Sequence, residues 1–332
     1  MEHAAQNSRY ATYYSVLNRP IIKVIMKILV VANYNTGCFS PFVIEQMAAL
    51  RNAGAMVETY GIVGKGFFGY LRNIIGIRRK VQDYHPDLIH AHYGLSGLCA
   101  NLQRQIPVIT TYHGSDIHCG GWVHMLSGIT MRLSSYNIFV SRKLKDLAGY
   151  NRANVSIVSC GVSLDDMSII ERDVAKKQLR CERRFVLFAG AYNNEVKNAL
   201  LAKKAMLQTT DVDLVELSGY SRQKVNLLMN AADCLLMTSH HEGSPQVIKE
   251  AMTCGTPIVS VDVGDVREVI GQTEGCFIAE RNPEDIAVKI KMALDFKGKT
   301  NGRQRIIDLG LSNDLIANKL IEVYRKVLAT SR

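Results

Sequence analysis

Apolar runs of strand length alternate with amphipathic segments of helix length along most of the chain, and this alternation restricts the folds open to it. A first series of predicted strands covers 27–32, 56–62, 87–91, 107–112, 137–140 and 155–159. A second series covers 185–190, 213–217, 234–238, 257–262 and 276–278. Short apolar runs separated by helices are typical of parallel sheets with helices on both faces. The two series therefore predict an α/β protein with two doubly wound domains.

The length of 332 residues also suits two domains of about 150 residues each. Charged residues replace the apolar rhythm at 163–183, where we place the domain boundary. Strand-like sequence starts at Met26, and no apolar segment of signal-peptide length precedes it. The predicted divisions are an N-terminal extension at 1–25, a first domain at 26–165, a second domain at 166–311 and a C-terminal helix at 312–332, expected to pack back toward the first domain.

Composition indicates the cellular location of the chain and the charge of its binding partners. No apolar run reaches the length of about 18 residues that a membrane-spanning helix needs. The 8 cysteines are scattered without a CxxC pair, which is typical of reduced, mostly buried thiols and favours the cytoplasm. The net charge is +10, and residues 26–160 contain 13 lysines and arginines against 6 aspartates and glutamates. This basic first half indicates an anionic partner: nucleic acid, phospholipid or a phosphorylated substrate.

The stretch 234–259 carries the most chemical information. A buried strand is predicted to end at Thr238, and a polar loop separates it from a helix. Ser244 is expected to cap this helix, Pro245 to be its first residue, and Gly255 to take the left-handed conformation at its end. The next strand follows at once, so the helix begins in the crevice at the carboxyl edge of a parallel sheet.

A helix start at such an edge is suited to bind a diphosphate through its backbone amides. The segment predicted to do so consists of Gly243, Ser244, Pro245, Gln246 and Val247. Two carboxylates flank it, Glu242 in the loop and Glu250 in the helix. Carboxylates beside a phosphate site are explained if they accept hydrogen bonds from sugar hydroxyls. The alternative for Glu250 is a solvated residue on the helix surface.

The spacing of Glu242 and Glu250 resembles the E-x7-E signature of the retaining GT-B glycosyltransferases of family four, the glycosyl transferases group 1. Asn230-Ala-Ala-Asp-Cys-Leu-Leu-Met and Val261-Asp-Val-Gly-Asp-Val-Arg-Glu-Val-Ile extend the resemblance, which covers about 27–280. It implies the GT-B fold, with a cleft between two Rossmann-like domains that bind the acceptor and the nucleotide sugar. It also implies transfer of a hexose from a UDP- or GDP-sugar to a saccharide with retention of anomeric configuration.

The resemblance assigns roles on the donor side. It implies that Glu250 binds the nucleotide ribose, that Glu242 lies near the donor sugar, and that Lys197 contacts the diphosphate. The family usually has an arginine a few residues before that lysine, but this chain has Ala191. The diphosphate thus has one cation fewer, which makes Lys197 more important unless another group, such as Arg222, compensates.

In the first half, Gly37 stands where the family has a glycine-rich loop over the donor phosphates; the alternative is a plain turn. The segments 89–94 and 110–117 resemble the family's "HAH" and "HGSD" segments. The resemblance implies that His113 contacts the transferred sugar and that Asp116 supports the acceptor side. For His92, a structural role is as good an interpretation as a functional one.

No metal site is predicted. Asp211-Val-Asp213 has the spacing of a DxD metal motif, but it begins a predicted strand. The chain has no HExxH motif and no cluster of cysteine and histidine, and its first strand is not followed by GxGxxG. We therefore expect catalysis with a nucleotide sugar as donor substrate and without a metal requirement.

The segment 65–80 is both basic and apolar. On a single helix, Phe67, Leu71, Ile74 and Arg78 would share one face, and Arg72 and Arg79 another. This pattern indicates peripheral contact with a membrane surface, or else a core-packing helix; nucleic acid ranks last, since the chain has no recognisable module for it. With the basic first half, it suggests a polyprenyl-linked saccharide acceptor at the cytoplasmic membrane face, in polysaccharide or surface-glycan assembly. Two alternatives remain: a nucleotide-sugar epimerase of the same fold, and a non-catalytic carbohydrate-binding relative.

Overall fold

The computed structural model describes residues 26–330, and these form two parallel β-sheets with helices on both sides. The predicted extension at 1–25 and the last two residues lie outside the described part, as does the side chain of Phe67. The strands of the first half are β1 (Lys27–Asn33), β2 (Met56–Ile62), β3 (Leu88–His92), β4 (Val108–Tyr112), β5 (Tyr136–Phe139) and β6 (Val155–Ile157). They form one sheet in the order β2-β1-β3-β4-β5-β6.

The helices of the first half cover the two faces of this sheet. They are α1 (Pro41–Asn52), α2 (Gly66–Leu71), α3 (Asn73–Tyr84), α4 (Gly94–Asn101), α5 (Ser115–His118), α6 (Trp122–Leu133) and α7 (Arg142–Leu147). Pro41 occupies the first turn of α1, where its missing N–H leaves no hydrogen bond unmade. The strands β3 and β4 are buried along their whole length, as expected for the centre of a parallel sheet.

The second half repeats this design. Its strands are β7 (Phe185–Phe188), β8 (Asp213–Glu216), β9 (Cys234–Met237), β10 (Ile258–Val261) and β11 (Cys276–Ala279), and their order is β8-β7-β9-β10-β11. Its helices are α8 (Arg172–Leu179), α9 (Ala199–Met206), α10 (Arg222–Ala231), α11 (Gln246–Cys254), α12 (Val266–Ile270), α13 (Pro283–Asp295) and α14 (Gly302–Asp308). A short 3₁₀ turn, Glu195–Lys197, precedes α9.

The predicted α/β class, with two doubly wound sheets, is confirmed. Each of the eleven predicted strands overlaps a strand of the structure. In each sheet the winding direction changes beside the first strand, between β1 and β3 and between β7 and β9. The loops that leave the carboxyl ends of strands at such a point diverge and leave a crevice for a ligand. The two crevices are the natural places for the groups selected from the sequence.

The last helix, α15 (Asn313–Thr330), returns to the first half and packs against α1. The hydroxyl group of Tyr324 lies 2.7 Å from Nδ1 of His90, inside the first sheet's core. An isolated parallel bridge between Val162 and Ser312 joins the chain just after β6 to the start of this helix. Within residues 26–330, no helix is both long and apolar enough to cross a membrane.

The segment 65–80 differs from the single helix on which its predicted faces depend. It contains α2 and the beginning of α3, which meet at Arg72. Ile74 packs against a core cluster, whereas Phe68 and Ile75 are 79% and 60% exposed. Arg78 donates to the carbonyl oxygen of Leu102 at 3.0 Å, so its guanidinium group is tied to the protein.

Candidate functional site

A cavity of about 450 Å³ lies in the cleft between the two halves. From the second half, the loops after β7 and β9 line it, together with the first turns of α10 and α11. From the first half come the start of α1 and the loops after β3 and β4. The cleft therefore gathers loops from the carboxyl edges of both sheets.

Two glycines bring these loops into backbone contact across the cleft. A Cβ atom on Gly243 would overlap the carbonyl oxygen of His113, and one on Gly114 would lie 3.0 Å from the backbone nitrogen of Gly243. Next to this contact the rings of His118 and His241 stack with their centroids 4.6 Å apart. The "HGSD" and E-x7-E segments are thus neighbours, and glycine is required at 243 because no side chain fits.

The start of α11 differs by one residue from its prediction. Pro245, not Ser244, is the capping residue, and Gln246 is the first helical one. The hydroxyl group of Ser244 makes no capping bond; it lies 2.5 Å from Oδ2 of Asp265 and 2.5 Å from Nζ of Lys249. The expected cap is wrong because the hydroxyl group binds these tertiary partners instead of a backbone N–H of its own helix. Gly255 ends the helix in the left-handed conformation, with φ of 67°, as predicted.

The backbone amides at this helix start remain available to a ligand. Among residues 26–330, no group accepts a hydrogen bond from the N–H of Ser244, Gln246 or Val247. All residues from Glu242 to Val247 line the cavity. Unpaired amides at a helix N-terminus carry partial positive charge, so this part of the wall is suited to an anion.

Each predicted carboxylate in the cleft is paired with a cation. Nζ of Lys197 lies 2.6 Å from Oε1 of Glu242. Nη1 of Arg222 lies 2.6 Å from Oε1 of Glu250, and its Nη2 lies 2.8 Å from Oε1 of Glu45 on α1. Arg222 therefore joins the two halves, and it lines the cavity as a second cation besides Lys197.

The loop after β7 contributes one cation to the cleft. Lys197 crosses directly over Gly190, where a Cβ atom would lie 2.8 Å from the lysine Cγ atom. Ala191, at the position of the family's arginine, provides no charge.

Glu45, on α1, is not identified from the sequence, because a lone glutamate on an amphipathic helix does not differ from a solvated one. Burial raises the pKa of Glu45, and the charge of Arg222 opposes this shift.

His113 sits at the first-half wall of the cleft, among aromatic rings. The centroids of Phe42 and Tyr93 lie 4.6 Å and 4.7 Å from that of His113. Its Nε2 atom is 2.9 Å from Nδ1 of His92, and its Nδ1 atom is 3.7 Å from the thiol sulfur of Cys160. Burial, the neighbouring His92 and the charge of Lys249 together lower the pKa of His113 well below its usual value.

Two further histidines stand behind His113, and both are fully buried. Burial lowers the pKa of His92 to about 3. His90 is likewise held neutral, mainly by burial and then by the other two rings, and its Nε2 atom lies 2.7 Å from the hydroxyl oxygen of Thr111. The three imidazoles are therefore uncharged near neutral pH, so this wall presents no positive charge to a ligand.

Asp116 lies outside the main cleft. Its carboxylate accepts hydrogen bonds from the backbone N–H groups of Gly94, His113 and Gly114, and thereby fixes the loop that carries His113. Burial raises its pKa to about 6, although these backbone hydrogen bonds oppose the shift. Asp116 also lines a neighbouring cavity of about 300 Å³, which shares Tyr93 with the cleft.

Gly37 and the DxD sequence lie away from the cavity. Gly37 is exposed in the loop after β1 and does not line the cavity. Asp213, of the DxD sequence, pairs with Arg183 at 3.3 Å. Within residues 26–330, no group of three histidine, cysteine, aspartate or glutamate side chains is placed to hold a metal ion. Of the eleven site residues selected from the sequence, the cleft gathers nine, and only Gly37 and Asp116 lie elsewhere.

Two family models match the chain, one in each half. Residues 40–166 match Glycosyltransferase Family 4, and residues 173–308 match Glycosyl transferases group 1. The putative teichuronic acid biosynthesis glycosyltransferase TuaC of Bacillus subtilis (strain 168) is 26% identical over 247 residues. The match covers 64% of this chain and 62% of TuaC, so the chain spans less than two thirds of that relative.

Solved structures share the architecture. Sucrose-phosphate synthase from Thermosynechococcus elongatus superposes with a TM-score of 0.78 at 16% identity, over 92% of this chain and 100% of that one. Anabaena Alr3699/HepE, solved in complex with UDP and glucose, superposes with a TM-score of 0.72 at 17% identity, over 91% and 100% of the two chains. At these identities the likeness concerns the fold.

Proposed function

The chain belongs to the family 4, or group 1, glycosyltransferases and has their GT-B fold, and on this premise we propose that it transfers a hexose from a UDP- or GDP-sugar to a saccharide with retention of anomeric configuration. One observation carries the proposal. Lys197, Glu242, Glu250 and the unpaired amides at the start of α11 converge on a single cavity between the two sheets.

The diphosphate of the donor would bind at the start of α11. The N–H groups of Ser244, Gln246 and Val247 would donate to its oxygens, where the helix dipole also favours negative charge. Lys197 would supply the charged contact. Because its ammonium group is 2.6 Å from Glu242 before the donor arrives, binding requires that the lysine exchange this carboxylate for phosphate oxygens. Glu242 is then released to accept a hydrogen bond from the donor sugar.

Glu250 would accept hydrogen bonds from the ribose hydroxyls. Its side chain is only 7% exposed and its carboxylate is held by Arg222, so it is already oriented before the nucleotide binds. Arg222 compensates for the alanine at position 191 only in part, because both of its ion pairs are with carboxylates of the protein.

The reaction would then depend on charge stabilisation at the leaving group. Amides and Lys197 stabilise the negative charge that develops on the departing diphosphate, in a cleft that excludes water when the halves close. The neutral His113 shapes the sugar subsite without adding charge. The acceptor hydroxyl attacks the face that the diphosphate leaves, which preserves the anomeric configuration, and its proton passes to an oxygen of the departing diphosphate.

The relatives support the choice of substrates. Alr3699/HepE was solved with UDP and glucose, which favours a UDP-sugar among the donors. The name of TuaC refers to teichuronic acid biosynthesis, which favours a role in polysaccharide or surface-glycan assembly. An acceptor of this kind is proposed to be lipid-linked, and the enzyme to work at the cytoplasmic face of a membrane.

An exposed stripe on α2 and α3 supports the membrane contact. Phe68, Arg72, Ile75 and Arg79 are all exposed, and their spacing of four residues places Ile75 and Arg79 on one face of α3. Lys80 has a different role, because it pairs with Glu58 at 3.0 Å. Each basic residue near an anionic leaflet contributes about 1 kcal/mol, so two arginines with two apolar side chains would hold the enzyme transiently.

Liposome sedimentation tests this contact. The double variant Arg72→Gln, Arg79→Gln should bind vesicles of phosphatidylglycerol roughly tenfold or more weakly at low salt, with nucleotide binding unchanged. Lys80→Gln is the matched control and should bind like the wild type. If the wild type does not sediment with these vesicles, the membrane contact is wrong and a non-lipid acceptor is favoured.

The function itself is tested by a panel of nucleotides and nucleotide sugars. A UDP- or GDP-sugar should raise the melting temperature of the wild type, and the Lys197→Met variant should lose most of this shift. Incubation with the stabilising donor alone separates the alternatives, because an epimerase converts it without an acceptor, whereas a transferase releases sugar only slowly to water. Saccharide binding without any nucleotide response would favour the non-catalytic alternative.

A further inference from the structure

We propose that Lys249 is a positioning residue of the donor site, whose buried ammonium group fixes the amides at the start of α11 for the diphosphate. This inference rests on the proposed function and goes beyond it. Nothing in the E-x7-E pattern assigns a role to position 249, which precedes the second glutamate.

The surroundings of Lys249 are built for an ammonium group. Its side chain has no exposed surface, and Nζ donates to the carbonyl oxygen of Cys160 at 2.9 Å and to Oγ of Ser244 at 2.5 Å. Oδ2 of Asp265 lies 3.9 Å away. Burial of a lysine is costly unless its charge is paired and its N–H groups are bonded, and here a carboxylate lies nearby and two hydrogen bonds are made.

These contacts hold the anion-binding loop to the end of the first half. Ser244, the serine that fails to cap α11, is instead fixed between Lys249 and Asp265. Asp265 also accepts from the hydroxyl group of Ser159 at 3.2 Å, and the side-chain amide of Gln246 donates to the carbonyl oxygen of Gly161. The loop is therefore anchored to the segment 159–161 from three sides, with Lys249 at the centre.

The consequence concerns the orientation of the amides. The N–H groups of Ser244, Gln246 and Val247 have no partner in the described part of the chain, so nothing in their own hydrogen bonding keeps them aimed at the cleft. A loop fixed from behind keeps such donors in place before the ligand arrives, which lowers the cost of binding.

The charge of Lys249 also reaches the cleft. After burial and His92, it is the next contributor to the lowered pKa of His113, a group that lines the cavity. Lys197 and Arg222 are each paired with a carboxylate in the cleft, and position 191 has no cation. The buried ammonium group behind the amides thus adds positive potential at this wall, which Asp265 offsets in part.

The test compares the affinities of UDP and UMP, measured by calorimetry, because only UDP occupies the second phosphate position. Lys249→Met keeps the length of the side chain and removes its charge; it should lower UDP affinity about tenfold or more and change UMP affinity much less. Lys249→Arg should restore most of the preference for UDP. Lys299→Met is the matched control, because Lys299 is half-buried at the opposite end of α11, where it binds Asn230 at 2.9 Å.

A second variant guards against a folding defect of Lys249→Met. Ser244→Ala removes the link between the ammonium group and the loop at a cleft-lining residue, and it should reduce the preference for UDP over UMP in the same direction. An unchanged preference in both Ser244→Ala and folded Lys249→Met overturns the inference, as does an equal loss for UDP and UMP. A wild type that binds neither UDP nor GDP contradicts the proposed function first, and the two failures are thus distinguishable.

Discussion

The two sheets have the same winding up to their fifth strands but carry opposite chemistry at their carboxyl edges. The second half places ion pairs in the cleft, Lys197 with Glu242 and Arg222 with Glu250. The first half places neutral, buried rings there, with His113 backed by His92 and His90. The fold provides a crevice in each half, and the residues that follow the strands decide what each crevice can bind.

The difference fits the division of labour in the proposed reaction. A departing diphosphate gains negative charge, so the half that holds it needs cations and aimed amides. An uncharged sugar and its acceptor need shape and hydrogen bonds, and a charged imidazole beside the donor would compete with Lys197 for the phosphates. The cleft thus has a charged wall, formed by Lys197, Glu242, Arg222 and Glu250 of the second half, and a neutral wall, formed by His113, His92 and His90 of the first half.

Acid should lower the stability of the folded chain, because the buried histidines of the neutral wall are kept uncharged. The pKa of His92 is lowered to about 3, and that of His90 well below its usual value, so in this range the unfolded chain binds protons that the folded chain does not. The free energy of unfolding should therefore fall as the pH drops below about 6.5, and each such histidine, His113 included, lowers it by about 2 kcal/mol between about pH 7 and pH 5. The raised pKa of Asp116, about 6, opposes this fall by about 1 kcal/mol, because the folded chain binds that proton before the unfolded chain does. Urea denaturation at several pH values measures it.

Single substitutions assign this loss to the buried rings. His92→Asn should reduce the loss by about 2 kcal/mol. His85→Asn is the control: His85 is exposed and has φ of 51°, a conformation that asparagine tolerates, so the pH dependence should stay as in the wild type. A wild type whose stability does not change over this range would contradict the neutral state of the first-half wall.

The contact between the two walls should depend on Gly243. A Cβ atom there would overlap the carbonyl oxygen of His113, so Gly243→Ala must push the charged wall away from the neutral one. A displacement of about 1 Å between reacting groups costs roughly 100-fold in rate. We therefore expect Gly243→Ala to lose about that much transfer activity.

A glycine in open space gives the matched control. Gly128, on α6, has no atom within 4 Å of a Cβ placed on it, and Gly128→Ala should leave transfer unchanged. Near wild-type activity in Gly243→Ala would show that the halves do not need this contact.

Much of this contrast was predictable, because it depends on local patterns. The buried strands stand out as apolar runs, and β7 and β9 were predicted within two residues at each end. Glu242, Glu250 and Lys197 were found because their spacing along the chain resembles that of a known family. The same resemblance, carried by the segment that follows β4, places His113 beside the transferred sugar, since strand order alone does not bring the two sheets together.

Other features depend on side-chain contacts that the tertiary structure creates, and a local sequence pattern does not reveal them. Ser244 has every feature of a helix cap, yet Lys249 and Asp265 bind its hydroxyl group. Glu45 reaches Arg222 only because α1 abuts the second half. The resemblance implies that Asp116 supports the acceptor side, but three backbone N–H groups bind its carboxylate near the loop that carries His113.

The charged wall should lose donor affinity when a carboxylate is removed. Glu250→Ala removes the acceptor for the ribose hydroxyls and should cost about 1.5–3 kcal/mol in the binding of a UDP- or GDP-sugar. Isothermal titration measures it. Glu58→Gln is the control: Glu58 lies on β2, where it pairs with Lys80, and the variant should bind the donor like the wild type. Equal donor affinities in Glu250→Ala and the wild type would exclude Glu250 from the site.

The smallest expected effect is that of metal removal. In the proposed reaction, Lys197 and the amides at the start of α11 would face the diphosphate directly; they belong to the protein and cannot be chelated. Transfer should therefore proceed in excess EDTA at close to its rate in Mg²⁺, measured with the donor that the nucleotide panel identifies. Lys197→Met gives a more specific result. If the lysine supplies the charge that a metal ion supplies elsewhere, added Mg²⁺ should raise the transfer rate of this variant more than that of the wild type. Complete loss of wild-type transfer in EDTA, restored by Mg²⁺ or Mn²⁺, would mean that the charged wall is incomplete by itself.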